Sequence, residues 1–526
     1  MEILIGYDVR NAQDYIEEKE FNSLMDEGFI IKTAITGDIV ICSKTSRGTL
    51  YGVYTFLERF LGFRAFTKDV EKIDYVTDFS VSEIHIIKNP DFEYRDAYFR
   101  GAFDGGFASK NKLNTSVADI SREKGGNMKF FSAHHTFESL LPSKNYFKKY
   151  PQYYAEIDGK RKPSQPCLSN PDVVMEIATN LLKIIEKNPH CKVFSVAQND
   201  NHEYCKCEKC RKIDEYEGSP AGSMITFVNK VAEIVESKYP DVLIHTFAYV
   251  YTRKAPKYVR PRRNIIVRLC NIECEWSQAF ETLAAKDPKS NAMEFINNLK
   301  DWTAICDRVY IWDYAVNFRS YLQPFPNFYQ MAENIKFYKK CGIKGVLQQG
   351  NFSYGGGAAM DDLKSYLIGK LLWNAESNLD SLIDEFLCGV YGKGAPYIKE
   401  YLKLLTESVK GHELGIYDLP DSPYFTDELV EKYDLLFKMA EDAAENDEIK
   451  TRIQREHLSI EYLKAVRIED YEQRCATIDD LAEKIKKFKI TEIMERVNLY
   501  DSFEYMKREK NIRNCEGRYS LYYVVK

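Results

Sequence analysis

VFSVAQND at residues 193–200 and LIHTFAYVY at residues 243–251 share one pattern, and a predicted helix, Ser223–Lys238, lies between them. Each segment begins with apolar and β-branched residues, as a buried strand does, and ends in polar or aromatic side chains. Two such strands joined through a helix predict a βαβ unit with parallel strands. Residues 91–375 repeat this rhythm of strand, polar loop and helix along their length.

This repetition predicts a (β/α)8 TIM-type barrel, because about eight βα units in a stretch of this length match the size of that fold. A doubly wound open sheet is the alternative. No glycine-rich phosphate loop follows any strand, which disfavours nucleotide binding. The candidate strands are Tyr94–Arg100, Lys129–Ala133, Val193–Val196, Leu243–Tyr249, Ile265–Leu269, Val309–Trp312 and Gly345–Gln348, with a further one near Leu113–Val117.

Two regions flank this α/β barrel, which we place at residues 89–375. Residues 1–88 predict a small α/β domain with short strands at ILIG and DIVICS and an amphipathic helix in RGTLYGVYTFLERFLGFR (residues 47–64). Residues 376–526 predict a helical domain, because they show helical periodicity with many Glu/Lys pairs and no strand pattern until the last few residues. Apolar spacings of three and four predict the face of the 47–64 helix that packs on the sheet: Leu50, Val53, Tyr54, Leu57 and Leu61.

Composition and charge exclude several classes of function. The chain of 526 residues is 44% hydrophobic and 29% charged, and its net charge is −6. Its basic residues are scattered, so neither nucleic acid nor an anionic membrane is an expected partner. No run of about 18 apolar residues predicts a transmembrane helix.

Cysteine content and the N-terminal residues bear on the compartment. The opening residues MEILIGYDVRNAQD lack the basic and apolar regions of a signal peptide. The 13 cysteines lie mostly in apolar surroundings, which indicates reduced, buried thiols and a cytoplasmic protein. If the chain is a processed form, we expect a secreted or periplasmic protein instead. The sequence predicts no oligomeric state.

The functional residues of a barrel gather just beyond the C-terminal ends of its strands. Those positions are rich here in carboxylates, amides and aromatic rings, a combination that suits a carbohydrate. Carboxylates transfer protons or stabilise positive charge, amides bind hydroxyls, and rings stack on sugar faces. One loop carboxylate alone is often only a helix cap, so the prediction rests on their convergence. The candidate catalytic residues are Asp200, Glu273 and Asp313, and Asp104 and Glu275 occupy similar positions.

Candidate substrate-binding residues occupy the same strand ends. Because side chains alternate along a strand, Trp312 and Tyr314 share one side while Asp313 faces the other. These three therefore line one cleft only if the strand has ended by Asp313. The candidates are Asn199, His134, His135, Tyr249, Asn271, Trp276, Tyr314, Asn317, Gln348 and Gln349.

Several long stretches, spread over most of residues 90–400, match a single family. They are YPQYYAEIDGKR, QPCLSNPDV, SVAQNDNHEYCKCEKC, YTRKAPKYVRPRRNIIVRLCNIECEWS, IWDYAVNFRSYLQPFPNF, GVLQQGNF and KLLWN. They resemble the bacterial glycoside hydrolase family 163, formerly a family of unknown function, whose characterised activity is endo-β-N-acetylglucosaminidase action on complex N-glycans. The resemblance implies the barrel, glycoside hydrolysis without a catalytic cofactor, and a carbohydrate or glycoprotein glycan as substrate. The first domain is similar to the one that precedes the barrel in family 20 hexosaminidases and family 67 α-glucuronidases.

The resemblance also implies roles for two adjacent residues. In the related hexosaminidases the end of the fourth strand, here Val193–Val196, carries a residue that orients the substrate acetamide and then the general acid. Asn199 and Asp200 resemble this pair, which implies a retaining mechanism in which the substrate's N-acetyl oxygen is the nucleophile. Otherwise the two residues cap the next helix or brace the loop. If the acetamide plays no part, Glu273 and then Asp313 are the candidate nucleophiles.

One departure from the family pattern leaves other functions open. A Glu often stands where this chain has Gln348, so this position has either lost chemistry or binds substrate hydroxyls. A non-catalytic glycan-binding protein on the same scaffold is therefore one alternative. An α-glucuronidase-like exo-hydrolase is another, and it would need a basic clamp for a uronate, with Arg100, Arg253 and Arg268 as candidates.

A cysteine cluster follows the predicted acid. Cys205, Cys207 and Cys210 form a Cys-x-Cys-x2-Cys arrangement. Three thiolates, with His202 or the distant Cys274 as fourth ligand, predict a structural zinc site rather than a catalytic one. A local disulfide and free thiols kept for packing are the alternatives.

Overall fold

The computed structural model describes residues 2–10, 12–74 and 81–508. The first strands and helices are β1 (Ile3–Ile5), α1 (Glu18–Asn22), β2 (Phe29–Thr33), β3 (Ile39–Cys42), α2 (Ser46–Phe60), β4 (Arg64–Ala65), β5 (Glu71–Lys72) and β6 (His85–Lys88). Four of the strands form a mixed sheet in the order β1-β3-β2-β6, in which β1 and β3 are parallel and the other pairs antiparallel. β4 and β5 pair separately.

Helix α2 packs on this sheet, as predicted, but through a different face. A Cβ at Gly52 would lie 2.7 Å from Ile41 Cγ2 on β3. A Cβ at Gly48 would lie 2.7 Å from the backbone oxygen of Gly28, the residue before β2. Two glycines four residues apart therefore let the helix backbone touch the sheet, which no larger residue would permit. The buried face is Gly48, Tyr51, Gly52, Thr55 and Phe56. The predicted face is only partly buried: Leu50, Val53, Tyr54, Leu57 and Leu61.

The central region is built on one parallel sheet of seven strands. Its order along the sheet is β7-β15-β14-β13-β12-β11-β8, and β9 and β10 form a hairpin outside it. The observed strands fall on seven of the predicted ones, with ends that differ by up to two residues. Those seven are β7 (Tyr94–Tyr98), β8 (Phe130–Phe131), β11 (Val193–Ser195), β12 (Leu243–Ala248), β13 (Ile265–Cys270), β14 (Val309–Tyr314) and β15 (Gly345–Gln349). The hairpin strands are β9 (Tyr154–Ile157) and β10 (Lys160–Pro166).

The sheet curls until its two edge strands approach one another. Tyr94 on β7 and Phe130 on β8 have ring centroids 5.1 Å apart, although these strands stand at opposite ends of the sheet. The guanidinium of Arg268, on β13, lies over both rings at 5.3 and 5.2 Å. The interior is therefore a packed core rather than a pore, as in TIM barrels. The predicted TIM-type fold is confirmed, with seven paired strands.

The eighth predicted strand, near Leu113–Val117, is wrong. This segment lies between β7 and β8, and side chains replace the strand ladder there. The Arg95 N–H donates to Asn114 Oδ1 at 2.9 Å, and the Ser116 N–H donates to Asp96 Oδ2 at 3.3 Å. Backbone groups that bind side chains are not available for pairing with a neighbouring strand, so the sheet stays open at this point.

Helices surround the sheet and make up most of the chain beyond it. Those of the central region are α3 (Gly105–Lys110), α4 (Phe137–Leu140), α5 (Ser143–Tyr146), α6 (Pro171–Lys187), α7 (Glu208–Glu217), α8 (Ala221–Glu236), α9 (Phe280–Lys286), α10 (Asn291–Thr303), α11 (Phe328–Lys340) and α12 (Asp361–Trp373). The later ones are α13 (Leu379–Tyr391), α14 (Ala395–Ser408), α15 (Asp427–Ala443), α16 (Asp447–Arg467), α17 (Tyr471–Lys487) and α18 (Leu499–Arg508). Among the described residues, no helix is both long and apolar enough to cross a membrane.

The segment between α17 and α18 returns to the barrel. The Tyr321 N–H donates to Ile493 O at 2.7 Å, and Gly356 pairs with Glu492 in an isolated bridge. The loops after β14 and β15 are thus covered by residues from near the C-terminus. The strand pattern in the last few residues of the chain lies outside the described residues.

Candidate active site

The mouth of the barrel lies at the C-terminal ends of β11 to β15, and strand alternation divides the predicted residues between two environments. The Trp312 ring faces the interior, 5.6 Å from the His134 ring and 5.8 Å from the Phe247 ring between centroids. Asp313 faces the other way, toward α11, where Tyr338 donates to it at 2.8 Å. Only the interior side of the sheet, which carries Trp312, opens onto the mouth.

Asp200 is the most open of the three candidate catalytic carboxylates. It lies in the loop after β11, and its side chain is 46% exposed. The Tyr249 hydroxyl donates to Asp200 Oδ1 at 3.2 Å, and His135 Nε2 lies 3.7 Å from the same oxygen. The other ring nitrogen of His135 is 2.5 Å from Gln198 O, which fixes the ring. Two predicted binding residues thus hold Asp200 while it stays accessible to a ligand.

Aromatic rings form the floor of the mouth beside Asp200. The Tyr98 hydroxyl lies 3.1 Å from His134 Nε2. Burial, together with the nearby positive charge of Arg268, lowers the pKa of His134 to about 4, so this ring is neutral at neutral pH. Trp312 Nε1 donates to Gln349 Oε1 at 2.7 Å. Rings with a few fixed polar groups are the usual lining of a small-molecule cleft.

Glu273, just after β13, is the second candidate catalytic carboxylate, and its side chain is 24% exposed. It pairs with Arg253 at 2.7 Å, and Arg253 also pairs with Glu294 at 2.6 Å. Burial raises the pKa of the Cys270 thiol well above its usual value, and the charges of Glu273 and Asp200 add to this effect. Both carboxylates therefore act on the same thiol at the end of β13.

Asp313 belongs to a buried group that does not reach the mouth. Its Oδ1 accepts from Asn271 Nδ2 at 2.8 Å and from Trp276 Nε1 at 3.0 Å. Its Oδ2 accepts from the Tyr338 hydroxyl at 2.8 Å and from Gln348 Nε2 at 3.1 Å. All five side chains are at most 1% exposed. We call these residues the Asp313 network. The structure brings Asp313, Asn271, Trp276 and Gln348 together, but not at the cleft surface.

Two further predicted residues are buried in packing roles. The Tyr314 ring lies 5.9 Å from both the Trp276 and the Phe318 rings. Asn317 Nδ2 donates to Asp418 O at 3.0 Å, which ties the loop after β14 to the loop before α15. Neither side chain is more than 4% exposed, so neither offers a surface to a ligand.

Asn199 braces the loop that carries Asp200. Its Oδ1 accepts from the Glu138 N–H at 2.9 Å, and its Nδ2 donates to Ser164 O at 2.8 Å. Its own backbone N–H and C=O bind the Gln165 amide at 3.0 and 2.8 Å. Of the interpretations left open by the sequence, these contacts favour bracing of the loop, because both the oxygen and the nitrogen of the Asn199 side-chain amide are already hydrogen-bonded.

The cysteine cluster contains a fourth cysteine, Cys167, in addition to the three predicted from the sequence. Sγ atoms of Cys167, Cys205, Cys207 and Cys210 all lie within 4.8 Å of one another. The expected fourth member, His202 or Cys274, is therefore wrong. Cys274 belongs to the main core, with its thiol 3.6 Å from Asn291 O. Cys167 follows β10 and precedes the other three by helix α6 and strand β11, so no short spacing signals it.

A protein-family model described as a domain of unknown function, DUF4838, matches residues 65–403. The match contains the whole parallel sheet, Asp200 and the four clustered cysteines. The chain belongs to the DUF4838 family. No curated protein matches this DUF4838 chain by sequence.

Solved structures of glycoside hydrolases share the fold of this DUF4838 protein. One is a family GH115 4-O-methyl-α-glucuronidase with specificity for decorated arabinogalactans. It has a TM-score of 0.56 and 10% identity, over 94% of this chain and 74% of that one. Another is a GH138 enzyme that targets pectin rhamnogalacturonan II, with a TM-score of 0.51 and 9% identity, over 96% of this chain and 76% of that one. At these identities the likeness is one of fold.

Charged residues from outside the matched region also act on the mouth. Burial raises the pKa of the Glu495 carboxyl, and the charge of Asp200 adds to this while Arg496 opposes it. Arg496 also contributes to the lowered pKa of His134. Neither residue could be predicted from the sequence, because both lie in an irregular segment after α17, where no motif or strand pattern marks them.

Proposed function

We propose that this DUF4838 protein is a glycoside hydrolase and that Asp200 is its general acid. The observation that carries the proposal is the position of Asp200: an accessible carboxylate above an aromatic floor, held by Tyr249 and His135, with Glu273 and Glu495 close enough for their charges to act on the same groups. Converging carboxylates beside aromatic surfaces are the equipment of glycosidic bond cleavage.

The work of Asp200 is to protonate the departing oxygen, a step that contributes about 10²–10⁴-fold to the rate. The Tyr249 hydroxyl donates to the carboxyl group and helps to orient it, and the His135 ring lies beside it. Bracing by Asn199 keeps the loop in place, so we assign Asn199 a positioning role. Direct contact with a substrate acetamide would require Asn199 to give up its bonds to Glu138 and Ser164.

For stabilising charge at the anomeric carbon we propose Glu273, the other candidate carboxylate with a partly exposed side chain. Its pairing with Arg253 fixes the carboxylate, and it shares the Cys270 environment with Asp200. With Asn199 engaged in the loop, a retaining mechanism would use Glu273 as the nucleophile. Asp313 lies behind the sheet with both oxygens occupied, which supports a positioning role for it.

For the substrate we propose β-linked N-acetylglucosamine in a glycan, on the strength of the resemblance to glycoside hydrolase family 163. The Tyr249 ring, beside Asp200, provides a face against which a pyranose ring can stack. Cleavage within the glycan would make the protein an endo-β-N-acetylglucosaminidase.

The contacts weaken both alternative functions. Arg268 is buried among core rings, and Arg253 is paired with two glutamates, so neither is free to clamp a uronate. Arg100, whose guanidinium lies over the Phe103 and Tyr354 rings, is the one candidate for such a clamp that remains. Gln348 lies in the Asp313 network, so a Gln at this position removes no carboxylate from the cleft. The main motive for a non-catalytic glycan-binding protein therefore disappears.

The experiment is a mass-spectrometric product analysis with three substrates: an N-glycoprotein, a chitobiose-linked oligosaccharide and an aryl α-glucuronide. Asp200→Asn, purified in parallel, controls for contaminating glycosidases. We expect the intact chain to release glycans cut between two N-acetylglucosamine residues, and the variant to release none. Release of uronic acid alone would support the glucuronidase, and binding of all three without turnover would support the glycan-binding protein.

A further inference from the structure

We infer that Cys167, Cys205, Cys207 and Cys210 bind a zinc ion, and that this ion fixes the loop that carries Asp200. The inference goes beyond the proposed function and does not depend on it, since a structural ion leaves its mark on metal content and local stability whatever the protein hydrolyses. We call the four residues the cysteine site.

The spacing of the sulfur atoms fits a tetrahedral ion. Cys167 Sγ lies 3.7 Å from Cys207 Sγ and 3.9 Å from Cys210 Sγ. Four sulfurs at about 2.3 Å from a zinc ion are about 3.8 Å apart along each edge of the tetrahedron. A disulfide requires about 2.05 Å between sulfurs, so the observed separations are those of ligands around an ion rather than of bonded pairs.

The cysteine site has little apolar packing of its own. The four side chains are buried, yet they belong to a small cluster that is separate from the main core. Only Ala155 and Ile157 supply aliphatic contacts in that cluster. A few thiols and two aliphatic side chains bury little apolar area, and small units of this kind usually depend on a metal.

Neighbouring groups can stabilise the charge of the bound form. Four thiols that bind Zn²⁺ release their protons to solvent, and the filled site carries two negative charges. The Glu156 N–H donates to Cys205 Sγ at 3.3 Å, and Arg161 Nη1 lies 3.9 Å from the same sulfur. Ser169 Oγ lies 3.1 Å from Cys210 Sγ and can donate to a thiolate there. Donors directed at metal-bound thiolates are a regular feature of such sites.

The cysteine site joins two parts of the chain that are distant in sequence. Cys167 ends the β9–β10 hairpin, whereas the other three cysteines follow β11 and begin α7. The same two segments are linked by backbone contact, since the Lys206 N–H donates to Glu156 O at 2.8 Å. The hairpin residue Gln165 binds both the N–H and the C=O of Asn199. An ion that holds the hairpin therefore also holds the residue before Asp200.

Elemental analysis of the full chain tests the metal directly. We expect about one zinc ion per chain, as four protein thiolates make a closed structural site. Cys167→Ser should retain less than about a tenth of that metal, because three thiolates no longer close the tetrahedron. Cys191→Ser is the matched control: Cys191 is also buried but belongs to the main core, and its loss should leave the zinc in place.

Hydrogen exchange tests the positioning role without any substrate. Removal of zinc from the wild-type chain with a strong chelator should accelerate amide exchange in residues 160–167 and 199–210 and leave β13 to β15 unchanged. Addition of Co²⁺ should restore protection and give the visible absorption of a tetrahedral thiolate site. Metal-free protein whose four cysteines are free or disulfide-bonded overturns the inference. If zinc is present but its removal leaves the amide exchange of residues 199–203 unchanged, the ion does not position this loop and that part of the inference is wrong.

Discussion

Two neighbouring sectors of the barrel mouth carry nearly the same residue types and put them to different uses. After β11 and β12, Asp200 and Tyr249 stand at the surface with few partners. At the ends of β13 and β14, Asn271 and Asp313 lie behind the sheet, and both Asp313 oxygens accept hydrogen bonds from buried side chains. The difference teaches that a carboxylate at a strand end is available for chemistry only when the strand's alternation, or the loop beyond it, turns it toward the mouth.

The largest loss of stability should come from a substitution in the second sector, at Asp313. Asp313→Ala removes the acceptor for four buried side-chain donors and should lower the free energy of unfolding by about 3–5 kcal/mol. Asp200→Ala, at an exposed position, should change it by less than about 0.5 kcal/mol. Urea unfolding followed by circular dichroism measures both. Equal, small changes for the two variants would mean that the Asp313 network does not stabilise the fold.

A pH-dependent loss should follow from Gln348→Glu. The substitution replaces the donor to Asp313 Oδ2, at 3.1 Å, by a second buried carboxyl group, whose pKa in the folded state must rise. Below the unfolded value of about 4.3 the introduced group is protonated in both states and stability stays near that of the wild type. As pH rises above that value stability is lost, by about 2–3 kcal/mol at pH 7.

Unfolding curves of Gln348→Glu and wild type at pH 4 and pH 7 measure this difference. Activity per folded molecule should not increase at either pH. A several-fold gain in activity would show instead that a carboxylate at this position takes part in the chemistry, and that the Asp313 network is part of the cleft.

The smallest expected effect is a loss of activity from a substitution in the first sector, at Tyr249. Tyr249→Phe removes one hydrogen bond to Asp200, worth about 1 kcal/mol or about five-fold in kcat/KM, and should leave the unfolding free energy almost unchanged. Tyr310→Phe is the matched control, since its hydroxyl binds Glu93 at the opposite end of the barrel. If both variants lose the same activity, the Tyr249 hydroxyl has no special relation to the site.

The fold could be predicted from local pattern because strands and helices in a barrel repeat. Apolar runs marked seven parallel strands within two residues of their observed ends. The missing strand near Leu113–Val117 could not be foreseen, because its replacement by Asn114 and Asp96 side-chain bonds depends on their distance in three dimensions. The buried face of α2 was misjudged since two glycines, rather than its apolar residues, decide which side approaches the sheet.

The site was predictable in its residue types and less so in its geometry. Alternation predicted that Trp312 and Asp313 face opposite ways, but not which of them faces the mouth. Whether Asn199 binds substrate or braces its loop depends on Glu138 and Ser164, which lie far away in the chain. Glu495 and Cys167 reach their places only through the complete fold, so no reading of spacing could have found them.

The central claim is that Asp200 is the general acid, and a comparison of two variants on two substrates tests it most directly. Protonation matters little when the leaving group is already good. Asp200→Ala should therefore lose about 10²–10⁴-fold on a natural glycan yet keep most of the bond-breaking rate on a dinitrophenyl glycoside. Glu273→Gln should impair both substrates, because charge at the anomeric carbon must be stabilised whatever leaves. Equal loss of both activities in Asp200→Ala, or full retention of the natural one, would contradict the account and pass the role to Glu273 or Glu495.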